Sequence, residues 1–170
     1  MAVRPLTPAD AAAFRELRLR ALKEHAQAFT SSYEHDVRQP VAAVEKRLTG
    51  DGGNAFWGAF VEGNLVGMVG LTCEPRAKNR HKGRVVAMYV APEFVRRGLG
   101  SALLQAVIDH ARDVAGLEQL VLTVTRSNAA AGDLFRATGF TSFGIEPRAL
   151  KVDGEYFDKE HMILFLSGPP

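Results

Sequence analysis

The stretch RVVAMYVAPEFVRRGLGSALLQ, residues 84–105, constrains this chain more than any other. An apolar run ends at Pro92, which cannot continue a sheet ladder. A glycine turn follows. From there Leu99, Leu103, Ala106, Val107, His110 and Val114 recur at helical spacing, until Gly116 ends the helix. The local fold must be strand, tight turn, helix. Glycine costs about 0.5–1 kcal/mol relative to alanine inside regular structure, so its paired use at Gly98 and Gly100 points to a backbone task. At such a junction the amides of Arg97 to Ser101 lack helical acceptors, and with the helix dipole they favour an anion. Arg96 and Arg97 add positive charge. A phosphate or pyrophosphate is the natural ligand; the plain alternative is a bare strand-to-helix corner.

Two other nucleotide sites fail on named residues. No GxxxxGK[ST] segment exists, so there is no P-loop. A dinucleotide fingerprint needs a third glycine where Leu103 stands, and an acid that is missing at the tip of LVLTVT, residues 120–125.

The rest of the chain supplies the frame. AVRPL reads as a short strand. Thr7, Pro8 and Asp10 start a helix that runs to about His25. Residues 27–36, QAFTSSYEHD, read as loop or broken helix, and a second helix follows Pro40 to about Gly50. Two apolar runs flank the turn Glu62-Gly63-Asn64, a hairpin pattern. LVLTVT is apolar on both alternating faces, which predicts a covered strand with parallel pairing. Asn128 caps a helix that Gly139 ends. Two strands, near 140–150 and 156–166, join at Val152-Asp153-Gly154. The predicted class is mixed α/β, a sheet flanked by helices. One domain is expected over residues 1–167, with a short tail at 168–170.

MYVAPEFVRRGLGSALLQ, followed by NAAAGDLFRATGF, resembles the GNAT superfamily of N-acetyltransferases. That family carries [QR]xxGx[GA] after its fourth strand, Asn near the end of its fifth, and a helix ending in LYxxxGF. The resemblance implies the acetyltransferase fold and acetyl-CoA as cosubstrate. It implies that the turn Val95, Arg96, Arg97, Gly98, Leu99, Gly100 and Ser101 holds the coenzyme pyrophosphate. It also implies that the pantetheine arm pairs with the backbone of Met88, Tyr89 and Val90, where the fourth and fifth strands splay. Asn128 would hydrogen-bond the arm, and Phe135 would pack beside it. The implied reaction is direct acetyl transfer to a primary amine, on a small molecule or a protein, in a ternary complex.

The pattern is broken twice. Val95 stands where the family usually has Gln or Arg, a position that acts largely through its amide. Phe135 stands where many members have the tyrosine that protonates the leaving thiolate. Tyr33, Tyr89 and Tyr156 are the remaining tyrosines, and water is the other donor. Tyr33 is a candidate acid and Glu34 a candidate base, with Phe29, Tyr33 and Glu34 expected at the acceptor site. His35, Glu74 and His81 are weaker base candidates. Phe135 also motivates two alternatives: a non-catalytic coenzyme-binding module, and transfer of another acyl group.

A formal charge of +2 is too small for general nucleic-acid or membrane binding. Cys73 is the only cysteine, so no intrachain disulfide or CxxC motif exists, and no cluster has metal-ligand spacing. The first residues, MAVRPLTPAD, contain no apolar signal core, and no apolar run is long enough to span a membrane. We expect a cytoplasmic protein without a metal; the last strands are a candidate homodimer edge. The basic run Arg76, Lys78, Arg80 and Lys82 reads as a solvated loop.

Overall fold

The computed structural model describes residues 1–167; the expected tail at 168–170 lies outside them. Seven strands form one sheet in the order β1-β2-β3-β4-β5-β7-β6. They are β1 (Ala2–Pro5), β2 (Ala55–Val61), β3 (Asn64–Cys73), β4 (Lys82–Val90), β5 (Gln119–Thr125), β6 (Thr141–Val152) and β7 (Glu155–Phe165). The helices are α1 (Ala11–Glu24), α2 (Tyr33–Asp36), α3 (Val41–Arg47), α4 (Leu99–Asp113) and α5 (Ala129–Thr138). The mixed α/β order read from the sequence holds, with α2 as one added turn of helix.

The start of α1 is looser than expected. Residues Pro8–Asp10 form a 3-10 turn before the α-helix begins. There the Asp10 carboxylate accepts from the Thr7 amide at 2.8 Å and from the Arg4 guanidinium at 2.8 Å.

The sheet separates two apolar clusters. On one side α4 buries Leu99, Leu103, Leu104, Val107, Ile108 and Ala111 against Leu120, Leu122 and Val124 of β5. Each of the larger side chains contributes about 1.5–3 kcal/mol by leaving water. On the other side Phe14, Leu17 and Ala21 of α1 pack with Phe56, Met68 and Tyr89.

One irregularity in β4 decides which side chains go where. Ala87 has φ +56, and the β3–β4 register shifts between Met68 and Gly70. The extra residue is a bulge, which resets the two-residue alternation. Val85, Met88 and Val90 therefore face the α4 cluster, while Val86, Ala87 and Tyr89 face the α1 cluster.

β5 corrects one expectation. It pairs in parallel with β4 only at its start and antiparallel with β7 along its length. Its Leu120 face is buried, but Val121 and Thr123 are half-buried, because that face borders a cleft. His161 has its Nε2 3.1 Å from Glu146 Oε2 across the last hairpin. That hairpin forms the edge of the sheet, with β6 outermost and Phe143 and Ile145 exposed.

Candidate functional site

Strands β4 and β5 pair only through Lys82, Gly83 and Arg84 with Gln119, Leu120 and Val121. Beyond Arg84 they part and open a cleft of about 320 Å³. Its walls are Val85 to Met88 and Leu122 to Thr125. Phe29, Thr30 and Ser31 close it on the α1 side; Asn128, Ala131 and Phe135 close it on the α5 side. Past Arg84, the β5-facing edge of β4 has no strand partner among the described residues. Such an edge is a template for an added extended chain.

Just beyond β4 the backbone turns into an amide cradle. Pro92–Phe94 form a 3-10 turn, Val95 is extended, and Arg96 and Gly98 take left-handed φ of +62 and +78. Left-handed steps spaced this way bring successive amides to one side, an anion-binding concavity. Among the described residues no backbone carbonyl accepts from the amides of Val95 through Ser101. The first helical bond of α4 is Ala102 N to Gly98 O, at 3.0 Å. Arg96 and Arg97 are exposed beside these amides, and the Arg97 guanidinium lies 5.3 Å over the Phe94 ring.

The two glycines do different work. Gly98 supplies the left-handed step and has open space where a Cβ would point. Gly100 has no such φ; a Cβ there would meet Leu134 Cδ2 at 2.9 Å and Met88 Cε at 3.5 Å. Gly100 therefore also lets α4 approach α5.

The sequence profile of the Acetyltransferase (GNAT) family matches residues 19–140, most of the chain. The chain belongs to the GNAT family. An N-alpha-acetyltransferase of Sulfurisphaera tokodaii is 33% identical over 108 residues, 59% of this chain and 64% of that protein. The chain thus spans less than two thirds of that relative's length. A GNAT-family acetyltransferase of Streptococcus pneumoniae superposes with a TM-score of 0.88 at 26% identity, over 96% of this chain and 98% of that one. The Salmonella typhimurium protein yncA, solved with its cofactor acetyl-CoA, gives 0.83 at 26% identity, over 100% of this chain and 96% of that one.

Within this GNAT fold the residues expected to bind coenzyme divide into two groups. Met88, Asn128 and Phe135 line the cleft; Val95 to Ser101 form the cradle next to it. Asn128 also caps α5: its Oδ1 accepts from Ala131 N at 3.3 Å, which leaves its Nδ2 for another partner. Phe135 is buried edge-to-face against Phe140, with ring centroids 6.0 Å apart. Tyr89 turns away from the cleft into the α1 cluster, and its hydroxyl donates to Glu24 Oε2 at 3.5 Å. Burial pushes its pKa up.

The candidate catalytic pair does not reach the cleft. Tyr33 and Glu34 sit on α2, outside the cleft walls, with Glu34 exposed. The Ser32 cap, which accepts from His35 N at 3.2 Å, fixes that turn. Phe29 does line the cleft, together with Thr30 and Ser31. Among the described residues no carboxylate or imidazole lines it. Four cations do: Arg18, Arg47, Arg84 and Lys159. Sequence reasoning missed them because they come from four separate elements, and only Arg84, next to Val85 on β4, carried a local signal of its direction.

Proposed function

We propose that this protein transfers the acetyl group of acetyl-CoA directly to a primary amine. One observation carries the reading: an unpaired strand edge that runs from a cleft to a cradle of unbonded amides. A pyrophosphate fits the cradle, because each amide from Val95 to Ser101 offers a donor and Arg96 and Arg97 offer charge. An extended amide-bearing arm fits the open edge of Met88 to Val90, with Asn128 Nδ2 as a further donor. The S. tokodaii relative is named for acetylation of an α-amine, which supports a primary amine as acceptor.

The chemistry then asks little of side chains. The amine nitrogen attacks the thioester carbonyl; a C–N bond forms, the C–S bond breaks, and coenzyme A leaves as the thiolate. A β4 amide facing the gap polarises the carbonyl oxygen. The ammonium proton leaves to water, since among the described residues no cleft-lining side chain is an acid or a histidine. A thiolate with a pKa near about 8.5 needs limited help to leave, which suits the Phe135 ring. Holding the two reactants together supplies most of the acceleration.

Phe135 also favours a second reading, a coenzyme-binding module without catalysis. Titration calorimetry with acetyl-CoA, followed by a thiol-release screen over amines, separates the two. Micromolar binding with thiol release supports transfer. Binding without release from any amine supports the module. Absence of binding at millimolar coenzyme removes both. Competition by succinyl-CoA and propionyl-CoA in the same assay identifies the acyl group.

A further inference from the structure

All four cleft cations lie on one side of the sheet. Val85 packs in the α4 cluster, so Arg84 beside it points to the α1 side. Glu160 accepts from Arg136 of α5 at 3.0 Å, so Lys159 points the other way, where its Nζ donates to Thr30 Oγ1 at 2.6 Å. Arg18 and Arg47 come from α1 and α3, which pack on that same side. The amide cradle belongs to α4 on the opposite side. These charges are therefore not an extension of the phosphate cradle. They surround the approach left to the acceptor.

Their partners differ. Arg18 Nε is 2.5 Å from Asp36 Oδ2, and Lys159 holds Thr30. Arg47 has neither an ion pair nor a hydrogen bond among the described residues. Its guanidinium carbon lies 4.9 Å from the Phe56 ring centre and 5.9 Å from the Phe14 ring centre. Such ring contacts occupy no lone-pair partner of the N–H fork, which stays available to a planar carboxylate. Burial, and then Arg18, push the Arg47 pKa down, and the Asp36 carboxylate pushes it part of the way back; a second anion beside it would offset the rest. Arg47 is nevertheless wet: it lines this cleft and an adjoining hollow of about 280 Å³, open to water while surrounded by protein.

Two hydrogen bonds bridge the far wall. Lys159 ties Thr30 to β7, and Thr125 Oγ1 donates to Gln27 O at 2.6 Å. A polypeptide would have to displace both ties; a small molecule would not.

We propose that the acceptor is a free amino-carboxylate compound, an α-amino acid or close analogue, with its carboxylate held by the Arg47 guanidinium inside the field of Arg18 and Arg84. This rests on the acetyl-transfer reading. The test is thiol release from acetyl-CoA with common L-amino acids, their α-carboxamides, and short peptides bearing an acidic second residue. Acids are expected to exceed their carboxamides about 10- to 100-fold in kcat/KM, as for loss of a hydrogen bond between charged groups. The carboxamide amine is the less basic of the pair, so protonation cannot explain such a loss. Arg47→Gln should raise KM for the acid by a similar factor, leave KM for acetyl-CoA unchanged, and abolish the preference; Arg47→Lys should restore part of it. Carboxamides that equal the acids, or a preference that survives in Arg47→Gln with an unchanged acetyl-CoA KM, overturn the proposal. Acidic peptides that outpace free amino acids overturn the small-molecule assignment. Turnover confined to amines without a carboxylate sinks this proposal alone, whereas acetyl-CoA binding with no turnover of any amine sinks the transfer reading and this proposal together.

Discussion

Ser101→Glu should move fold stability and coenzyme affinity in opposite directions. Ser101 is exposed in the first turn of α4 and is the last of the unbonded amides, so the change disturbs no packing. Gly98 is the N-cap, which makes this the third helical position. A glutamate there reaches back to the cap amide and complements the helix dipole, worth about 0.3–1 kcal/mol. In a domain of this size that raises Tm by about 1–4 °C. The same carboxylate would sit where the pyrophosphate charge must come. A like pair at about 4 Å costs about 1 kcal/mol in bulk water and about 4 kcal/mol near a protein surface. The Kd for acetyl-CoA should therefore rise at least about fivefold. Thermal melts and titration calorimetry read the two quantities separately. Ser101→Gln, which can cap but carries no charge, is the control and should weaken binding far less. A higher Tm with an unchanged Kd would show that the cradle holds no phosphate. A lower Tm would show that these amides were not short of acceptors.

Three further outcomes follow from the geometry. Gly100→Ala should leave Tm within about 2 °C, because a helix-propensity gain of about 1 kcal/mol offsets the push on the mobile end of Leu134; Gly100→Trp should cost about 1–3 kcal/mol through overpacking, read by urea melts. Phe135→Tyr should change kcat by less than about tenfold in the thiol-release assay, since a thiolate of pKa near 8.5 leaves with little protonation; a larger gain would show that thiolate expulsion limits the wild type. Hydrogen bonds from Arg4 hold the Asp10 carboxyl down at about 2, against burial and helped by the Thr7 amide. A depressed carboxyl stabilises the fold above its unfolded pKa of about 3.9, and that contribution is lost as pH falls through the folded value. Asp10→Asn should therefore cost about 1 kcal/mol at neutral pH, discounted for its surface position, and nothing below about pH 2, measured by chemical denaturation.

Much of this site was legible because it is local. The cradle is a contiguous run from Val95 to Ser101, and its shape follows from a strand, two glycines and a helix in order. Asn128 was readable as a cap from short-range pattern alone; a packed Phe135 was what the family resemblance implied. The proposed acceptor side is not local. Arg18, Arg47, Arg84 and Lys159 meet only because β4 and β5 part and α3 folds back over Phe56. Tyr33 and Glu34 looked close because they lie in the right loop, but the α2 turn carries them off the cleft. The basic run from Arg76 to Lys82, read as a solvated loop, lines no part of the cleft.

The bulge at Ala87 gives β4 something like a reading frame. Its stem, through Val86, and its tip, from Met88, obey the same two-step rhythm but start it on different beats. Losing Ala87 would leave every facing as it is, because the remaining residues then alternate regularly: Val86 and Tyr89 toward α1, Met88 and Val90 toward α4. What the deletion removes is the extra backbone unit itself, and with it the bend and added twist just past the point where β4 leaves β5. The bulge sets the path of the strand more than the choice of side chains.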